Sequence, residues 1–509
     1  MKRYGVILYN PPSSARRKPV LPMSLLALGA LLEGEHEYMI IDGNLESDPV
    51  AAIDWAIRET GADILGVTVM PGPQLSHAVP QCRQIKAMHP HLTIVWGGYF
   101  PTQHYDACLR AGYVDYVVCG HGEVTFKALV DALRNGDDPT ALSGLAWRRA
   151  PASEPTSNLQ SPISNTQSPI SNLQSPIPHP DQLPDFPYHR VDMPRYIRRT
   201  FMGRRTLPHH SSYGCPFFCN FCAVVNMVEG RWLAQSAERT ANVARHLVEK
   251  WRADAVEFYD NNFFVQEART AEFAGRIMDM GIAWWGESRI DTLLKYSDRT
   301  WELMRGSGLK MMFMGAESGS DETLRQMNKG GTASTKKTLA IAEKMKRYGI
   351  IPEFSFVLGN PPDPEADVRQ TIEFIRKVKR INPATETILY MYTPVPLAGE
   401  LYEQARASGF QFPETLEEWI SPEWQEFSQR RSTQMPWLQD PLRRQIHDFE
   451  RVINAYYPTA TDPRLRGLWR WVLKAVSAWR YHLRVYSHPL ELRVLHKFLA
   501  YQRPETSGF

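Results

Sequence analysis

The stretch that decides the fold is Leu207-Pro-His-His-Ser-Ser-Tyr-Gly-Cys-Pro-Phe-Phe-Cys-Asn-Phe-Cys222, where the strand candidate Leu207–Ser212 runs into three closely spaced cysteines. Cys215, Cys219 and Cys222 form a C-x3-C-x2-C pattern. The 509 residues include six cysteines, and three of them lie within these eight positions. Such clustering is atypical of a disulfide scaffold and indicates a metal or redox site in a reducing compartment.

After the cysteines, strand candidates alternate with amphipathic helices such as Ser236–Trp251 and Ser334–Tyr348. Asp363-Pro364-Glu365 begins a further helix with a capping residue and a proline in the first turn. The later strands are predicted at Ala255–Tyr259, Ile282–Gly286, Met311–Gly315, Glu353–Leu358 and Thr387–Tyr392. Six strand–helix units in series predict a partial (β/α)6 TIM-type barrel, with its chemistry at the carboxyl ends of the strands.

The first 150 residues show the same alternation with a different spacing. Strands are predicted at Gly5–Tyr9, Tyr38–Ile41, Ile64–Val69, Thr93–Trp96 and Tyr113–Cys119. Helices are predicted at Ser24–Leu32, Ala51–Glu59, Ser76–Met88 and His104–Arg110. Buried strands that alternate with helices indicate a doubly wound, flavodoxin-like parallel sheet, in which ligands bind beyond the carboxyl ends of the strands. The fold class is therefore α/β.

Between these two units, residues 151–185 read as a disordered linker. Three copies of Ser-Asn-x-Gln-Ser-Pro-Ile fill residues 157–177, and the proline in each copy excludes a continuous helix. The sequence thus predicts a front domain over 1–150, this linker, a core domain over 186–405 and a mainly helical region over 406–509.

The C-terminal region is basic and rich in aromatic residues. Its apolar residues recur at helical spacing, at Leu465, Trp469, Val472, Val476, Trp479, Leu483 and Tyr486. Two interpretations stay open: a helix that packs on the barrel with snorkelling arginines, which we favour, or an amphipathic helix in peripheral contact with an anionic membrane.

Composition excludes several classes of protein. Fifty-eight Lys or Arg residues stand against 55 Asp or Glu residues, so the net charge of +3 gives no support to a nucleic-acid binder. The 43% hydrophobic content is that of a globular chain, and the apolar run Leu21–Leu32 is too short to span a bilayer. The amino terminus has no signal-peptide core, so we expect a cytoplasmic protein.

The residues alone leave two metals open for the cysteine loop. Zinc requires a fourth ligand, for which His209 or His210 is close in sequence. A [4Fe–4S] cluster normally takes four thiolates, so three would leave one iron open to a substrate or cofactor.

The cysteine motif, with an aromatic residue before its last cysteine and a strand ahead of it, resembles that of the radical S-adenosylmethionine (SAM) superfamily. The resemblance implies that Cys215, Cys219 and Cys222 bind three irons of a [4Fe–4S] cluster and that SAM chelates the fourth. One electron, from a donor such as flavodoxin or ferredoxin, then cleaves SAM to a 5′-deoxyadenosyl radical that abstracts hydrogen from substrate.

The same resemblance suggests residues that bind SAM. Asp260 follows the second strand and is predicted to accept from the methionyl amine, with a helix-capping role as the alternative. Arg289 is predicted to pair with the methionyl carboxylate, against a structural ion pair. Glu317 resembles the residue that binds the ribose hydroxyls, against a solvated loop carboxylate. Phe356 and Leu358 are predicted to flank the adenine, against a role in the core. No catalytic residue is assigned beyond these.

The front domain resembles the cobalamin-binding domain of B12-dependent radical SAM enzymes. The resemblance rests on short motifs at the ends of the strands and implies cobalamin contacts at Asn10, Pro11, Asp42, Gly43, Gly97, Gly98, Thr102, Gly120, Gly122 and Glu123. An Asp-x-His-x-x-Gly string, which would supply a histidine to cobalt, does not occur in the sequence. His104 and His121 are then the candidates for a lower ligand.

Together these features resemble the group that contains the anaerobic magnesium-protoporphyrin IX monomethyl ester cyclases and the class B methyltransferases. The resemblance implies C-methylation of an unactivated carbon, with a second SAM remethylating the cobalamin. The aromatic-rich C-terminal region and the lack of a polar-recognition motif favour a hydrophobic small molecule as the substrate. The alternatives are radical oxidative cyclisation or rearrangement without methyl transfer and, from another class, a non-catalytic cobalamin or iron–sulfur sensor.

Overall fold

A computed structural model describes residues 5–14, 19–148, 176, 178–228, 230–396, 399–428, 435–459, 461–462, 465 and 467–499. The chain forms two compact units. The first contains residues up to Asp192 together with Asn226–Val228 and Phe412–Ser428, and the second contains the rest. The predicted linker repeats over 157–177 lie outside the described residues, apart from Pro176. Among the described residues, no helix has both the length and the apolarity that crossing a bilayer requires.

The first unit begins with alternating strands and helices. They are β1 Gly5–Asn10, α1 Met23–Leu32, β2 Glu37–Asp42, α2 Pro49–Thr60, β3 Ala62–Thr68, α3 Pro73–Met88, β4 Thr93–Gly97, α4 Tyr99–Gln103, α5 Tyr105–Arg110, β5 Tyr116–Val118, α6 Glu123–Asn135 and β6 Leu145–Trp147. The α2 helix shows how the sequence sets these ends: the side chain of Asp48 accepts from Ala51 N, Pro49 opens the first turn, and Gly61 ends the helix at a φ of 65°.

Six strands form one sheet in the order β2-β1-β3-β4-β5-β6, and all neighbours are parallel except β5 and β6. This order confirms the flavodoxin-like prediction, and its topological switch point lies between β1 and β3. Several details of the prediction were wrong. The strand predicted over Tyr113–Cys119 is paired only over Tyr116–Val118. The helices Tyr99–Gln103 and Glu123–Asn135 and the antiparallel strand Leu145–Trp147 were missed.

The second unit carries the cysteine loop. Its elements are β7 Thr206–His209, β8 Ser212–Gly214, α7 Val224–Val228, β9 Trp232–Ala234, α8 Ala237–Trp251, β10 Ala255–Phe258, α9 Glu267–Arg276, β11 Ala283–Ser288, α10 Ile290–Leu293, α11 Asp298–Gly306, β12 Leu309–Glu317, α12 Asp321–Gln326, α13 Thr335–Tyr348, β13 Ile351–Leu358, α14 Pro364–Ile381, β14 Glu386–Met391 and α15 Glu400–Ala407. The end of α7 belongs to the first unit.

Six of these strands form a fully parallel sheet in the order β14-β13-β12-β11-β10-β7, as the prediction of six strand–helix units requires. The predicted strand Leu207–Ser212 is in fact divided. The first part ends at His209, and Ser212–Gly214 pairs antiparallel with Trp232–Ala234. The division coincides with a long-range contact: the backbone N–H of Ser211 donates to the carboxylate of Asp260 at 2.7 Å instead of to a neighbouring strand.

The two faces of this sheet differ in chemistry. Trp284 is fully buried and contacts Phe258 and, on α9, Phe273, so its side of the sheet is packed against helices. Side chains alternate along a strand, so the neighbours of Trp284 point to the opposite side. We call that side the inner face; its half-buried members are Glu257, Tyr259, Trp285, Glu287 and Phe313.

The remaining helices are α16 Leu416–Trp419 and α17 Pro422–Ser428, which belong to the first unit, and α18 Asp440–Tyr456, α19 Leu468–Leu483 and α20 Leu490–Phe498 in the second. The favoured prediction, that α19 packs on the barrel unit, agrees with its contacts to α18 and to Arg376 of α14, which donates to the carbonyl of Tyr481 at 2.6 Å. The face that packs is not the predicted apolar stripe. The helix buries Leu473, Ser477, Arg480 and Tyr481 instead. Tyr481 stacks on Tyr456 of α18 at 4.1 Å between ring centroids, which leaves much of the apolar stripe exposed.

Candidate cofactor sites

The cysteine loop follows β8 and is anchored to the last residue of α12 and to the segment that follows it. The side-chain amide of Asn220 donates to the carbonyl of Gln326 at 2.6 Å, and the amide of Asn328 donates to the carbonyl of Phe218 at 3.0 Å. Within the loop, Cys222 N donates to Cys219 O at 3.2 Å. These bonds hold three cysteines at one end of the parallel sheet, as the sequence predicts.

The thiols lie in a partly buried environment with nearby hydrogen-bond donors. Burial raises the pKa of the Cys222 thiol to about 12, so a bound metal must displace its proton. Arg289 Nη1 donates to Cys219 Sγ at 3.3 Å, and Asn262 Nδ2 donates to Cys215 Sγ at 3.7 Å. Soft sulfur donors surrounded by N–H groups fit an iron–sulfur cluster.

The spacing of the three sulfurs does not match mononuclear zinc. Ligands of a tetrahedral zinc with bonds near 2.3 Å lie about 3.8 Å from one another. Among the described residues, a set of three His, Cys, Asp or Glu ligand atoms within 4.8 Å is found at Glu35, His36 and Asp131, and not at the cysteines. His209, a candidate fourth zinc ligand, is bonded to Gln235 Oε1 at 3.1 Å. These positions therefore argue against a mononuclear zinc site at the cysteines.

Asp260 is fully buried directly beyond β10. Its Oδ1 accepts from Ser211 N at 2.7 Å, and its Oδ2 accepts from the hydroxyls of Ser211 and Ser212 at 2.6 and 2.7 Å. The buried guanidinium of Arg269 donates to the same Ser211 hydroxyl at 2.7 Å. Asp260 thus ties β10 to the turn that leads into the cysteine loop, and its predicted contact with SAM stays a prediction.

Arg289, just beyond β11, is a buried cation 6% exposed. Its Nε donates to Asp291 Oδ1 at 3.1 Å, and its Nη2 donates to Asp291 Oδ2 at 3.3 Å and to the carbonyl of Lys329 at 3.0 Å. The ring of Phe217 lies 3.8 Å from the guanidinium carbon, at cation–π distance. Asp291, Lys329 and Phe217 were missed by sequence reasoning, although the Arg-x-Asp spacing is a visible signal.

Glu317 ends β12 with a φ of 63°, a left-handed conformation that a residue with a side chain adopts at some cost in strain. Its carboxylate pairs with Lys329, and both side chains are almost completely buried. Lys329 also donates to the carbonyl of Gly315 at 2.6 Å. This carboxylate is therefore not a solvated loop group; a strained, ion-paired residue at a strand end is typical of a binding site.

Phe356 and Leu358 on β13 are both fully buried. Phe356 contacts Phe374 of α14, with ring centroids 6.3 Å apart, so it points toward the helices. Leu358 lies two residues further along β13 and therefore points to the same side of the sheet. This packing favours the alternative role in the core.

Glu287 on the inner face was not singled out from the sequence. Burial, reinforced by the nearby charge of Asp260, raises the pKa of its carboxyl to about 8. Its strand neighbours on this face are Trp285 and, by register on β12, Phe313. The inner face thus combines aromatic surface with a carboxyl group that is neutral at pH 7.

In the first unit, a network of side chains joins the loops after β1, β2 and β3. Asn10 Nδ2 donates to Asp42 Oδ1 at 2.8 Å, and Gln74 Nε2 donates to Asn10 Oδ1 at 2.6 Å. Gln74 Oε1 in turn accepts from the backbone N–H of Met70 at 2.7 Å. Asn10 and Asp42 were predicted as cobalamin contacts, and the structure brings them together at the switch point, whereas Gln74 was missed.

The same edge has closely packed turns. A Cβ on Gly43 would lie 2.7 Å from Pro12 Cδ, and Gly98 has a φ of 101°, so both positions require glycine. Thr102 Oγ1 accepts from Gly120 N at 3.0 Å and joins the loops after β4 and β5. The other predicted contacts lie along this edge: Pro11, Gly97, Gly122 and Glu123. Such backbone-rich loops, with Met70 44% exposed among them, suit a large cofactor with an apolar ring and amide side arms.

His104 lies in an aromatic cluster within the first unit. Its ring centroid is 4.6 Å from Trp419, 5.0 Å from Phe100 and 5.1 Å from Phe412. Burial lowers the pKa of His104 to about 3, so the ring is neutral at pH 7. These contacts favour a packing role over ligation of cobalt.

Comparison with known proteins matches both units. Residues 15–130 match the B12 binding domain, and residues 210–375 match the Radical SAM superfamily. An uncharacterised methyltransferase of Pyrococcus horikoshii is 29% identical over 80% of this chain and 84% of its own length. The anaerobic magnesium-protoporphyrin IX monomethyl ester cyclase of Synechocystis is 26% identical over 65% of this chain and 64% of its own length. The solved structure of the cobalamin-dependent SAM radical enzyme OxsB, with aqua-cobalamin and SAM bound, is similar in fold (TM-score 0.64, 14% identity, 98% of this chain and 75% of that one).

The fold, the cysteine loop and these matches define a radical SAM enzyme with a B12 binding domain. The chain thus carries both domains of a cobalamin-dependent radical SAM enzyme, and its cofactors are cobalamin, SAM and a [4Fe–4S] cluster. The sensor alternative is thereby set aside.

Proposed function

We propose that this enzyme C-methylates an unactivated carbon of a hydrophobic small molecule. The observation that carries the proposal is the conjunction of a B12 binding domain, a radical SAM domain and a methyltransferase relative that matches along 80% of the chain. Radical cyclisation is the second candidate, because a cyclase relative also matches. That match covers a smaller share of the chain, 65%.

In this proposal Cys215, Cys219 and Cys222 hold the cluster, while Asp260, Arg289 and Glu317 contact SAM. The expected adenine contacts of Phe356 and Leu358 are not part of it, because both side chains are buried in the core. Cobalamin is held by the β1, β2, β4 and β5 loops of the first unit, through Asn10, Pro11, Asp42, Gly43, Gly97, Gly98, Thr102, Gly120, Gly122 and Glu123. When bound, the cluster and SAM supply a radical and the cobalamin carries a methyl group. The chain itself contributes buried, preorganised polar groups that orient these cofactors and exclude water.

The inner face supports a hydrophobic substrate. Its half-buried residues include the aromatic side chains of Tyr259, Trp285 and Phe313. Polar contacts also reach this face: Tyr259 OH accepts from Arg198 at 2.6 Å, and Trp285 Nε1 donates to Glu353 at 3.1 Å. Predominantly aromatic walls with a few polar groups are typical of small-molecule sites. Glu287 supplies one such group, which donates a hydrogen bond as long as it stays protonated.

Isotope labelling tests the proposal on mixtures of cellular metabolites, so the substrate need not be identified first. Reconstituted enzyme is incubated anaerobically with apolar and polar cell extracts and with SAM that carries either a normal or a trideuterated methyl group. Methyl transfer predicts a mass feature in the apolar extract that takes up the deuterated methyl. Consumption of SAM with no labelled product in either extract would contradict methyl transfer and favour the cyclase. If the label appears only in the polar extract, the hydrophobic substrate class is contradicted and methyl transfer is not.

A one-electron donor such as flavodoxin or ferredoxin and an anionic membrane surface are the further partners that we propose. The membrane proposal rests on α19, where the exposed residues Leu468, Trp471, Ala475, Trp479 and Leu483 form one apolar line that we call the α19 stripe. Leu468, Trp471 and Leu483 are each 68–70% exposed.

The charge around the α19 stripe fits an anionic surface. Residues 468–499 contain six Lys or Arg and one acid, Glu491, which pairs with Arg480. Lys474 is exposed beside the stripe. Arg484 is exposed as well and pairs with Glu373 at 3.3 Å, and Arg493 pairs with Asp448 at 2.9 Å. Exposed tryptophan combined with basic residues is the composition of helices that lie in the membrane interface, where each basic residue contributes about 1 kcal/mol.

Vesicle flotation tests this contact. The full-length enzyme should float with vesicles that contain anionic phospholipid and not with vesicles of phosphatidylcholine alone. The double variant Trp471→Ser/Trp479→Ser should lose flotation, while the control Trp55→Ser, at a residue 57% exposed on α2, should keep it. Equal recovery of enzyme and double variant with anionic vesicles would contradict the proposal.

A further inference from the structure

The guanidinium of Arg289 is the charged group that the structure places against a cysteine sulfur. Nη1 lies 3.3 Å from Cys219 Sγ, within hydrogen-bond distance for a sulfur acceptor. Both residues are less than a tenth exposed, so water screens this contact weakly. A cation that donates to a thiolate stabilises negative charge on the sulfur more strongly than a neutral donor does.

Most of the other N–H groups of the Arg289 side chain already donate to residues of this chain. An arginine offers five N–H groups in a fixed plane. The carboxylate of Asp291 takes two of them, the carbonyl of Lys329 takes a third, and Cys219 takes a fourth. Phe217 covers one face of the plane at 3.8 Å. The direction of the N–H toward Cys219 is therefore set by the fold before any cofactor binds, and one Nη1 N–H remains for a ligand.

We propose that Arg289, held in place by Asp291, is a positioning residue that raises the reduction potential of the cluster through its hydrogen bond to Cys219. The inference rests on the proposed ligation of the cluster by the three cysteines. Uptake of one electron adds negative charge that is shared with the sulfur ligands, and hydrogen bonds to those sulfurs set the potential. In a buried setting a nearby cation favours the reduced state.

The test is a redox titration of the cluster, followed by its electron paramagnetic resonance signal, on reconstituted full-length enzyme before SAM is added. Because SAM is absent, loss of a SAM contact cannot cause a shift. Arg289→Gln removes the charge and should weaken electron uptake about tenfold, which lowers the midpoint by about 59 mV for a one-electron couple. Arg289→Lys keeps a charge without the planar fork and should give a smaller decrease.

A matched control is Arg325→Gln, which breaks an exposed ion pair with Glu322 on α12 and should leave the midpoint unchanged. The iron and sulfide content of each protein shows whether its cluster has loaded. Unchanged midpoints in both Arg289 variants, with the cluster loaded, would overturn the inference. If Arg289→Gln does not load, an unchanged midpoint in Arg289→Lys overturns it equally. Wild-type enzyme that cannot load a cluster would instead contradict the ligand assignment on which the inference rests.

Discussion

Replacing Asp260 distinguishes a structural anchor from a group that serves SAM alone. The carboxylate accepts three hydrogen bonds, of 2.6 to 2.7 Å, from Ser211 and Ser212, and it is fully buried. Asp260→Ala leaves the Ser211 N–H without its acceptor and removes the carboxylate that is linked to buried Arg269 through the Ser211 hydroxyl.

These contacts set the expected loss of folding stability. Hydrogen bonds to a charged group contribute about 1.5–3 kcal/mol each, and they are not additive when the donors are neighbours. We therefore expect Asp260→Ala to lower the free energy of unfolding of the second unit by about 4 kcal/mol. Asp260→Asn keeps an acceptor for Ser211 N and should cost about 2 kcal/mol. Ser212→Ala removes a single bond and should cost about 1–2 kcal/mol.

Urea unfolding of the three variants, followed by tryptophan fluorescence, measures these losses, with SAM binding measured in parallel. Ser212→Ala is the matched control, because it removes one donor and leaves the carboxylate in place. Full stability of Asp260→Ala together with loss of SAM binding would refute the structural reasoning and return Asp260 to a role in binding SAM alone.

The cluster ligands and the buried histidine lead to two further predictions. Cys219→Ala should abolish SAM cleavage, while the absorbance of cobalamin bound to the first unit is retained. The control Cys82→Ala, at a buried cysteine of the first unit, should keep both SAM cleavage and cobalamin binding. Cleavage at the wild-type rate by Cys219→Ala would contradict the cluster assignment. His104 has a pKa lowered to about 3 by burial, so below its unfolded value of about 6.5 the unfolded state takes up a proton that the native state does not. Stability is then lost as pH falls from about 6.5 to about 3, by on the order of 5 kcal/mol in total. His104→Phe should lack this loss when unfolding is measured against pH; parallel profiles for the two proteins would contradict the aromatic burial of His104.

The alternation of strands and helices could be predicted from the sequence because each strand is a short apolar run bounded by turn residues. The six parallel strands of the second sheet and the switch point of the first follow from that pattern. The division after His209 could not be predicted, because it depends on a bond from Ser211 to Asp260, 49 residues along the chain.

The site could be predicted only where its residues lie close together in the sequence. The cysteines are marked by spacing within one loop, whereas the partners of Arg289 and Glu317 come from other segments, as Lys329 does. The buried face of α19 was mispredicted because Arg480 and Ser477 are polar in sequence but bonded in the fold: Arg480 pairs with Glu491, and Ser477 Oγ donates to the carbonyl of Leu473 at 2.7 Å. Hydrophobic periodicity does not detect such satisfied polar contacts.

The most direct test of the central claim is product analysis of anaerobically reconstituted enzyme with hydroxocobalamin, SAM and a strong reductant. Mass spectrometry quantifies 5′-deoxyadenosine, which reports radical formation, and S-adenosylhomocysteine, which reports methyl transfer from SAM. We expect both to rise, and S-adenosylhomocysteine to fall to background when cobalamin is omitted. Formation of 5′-deoxyadenosine with no S-adenosylhomocysteine would contradict methyl transfer and favour the cyclase, and absence of both products would contradict the radical SAM assignment.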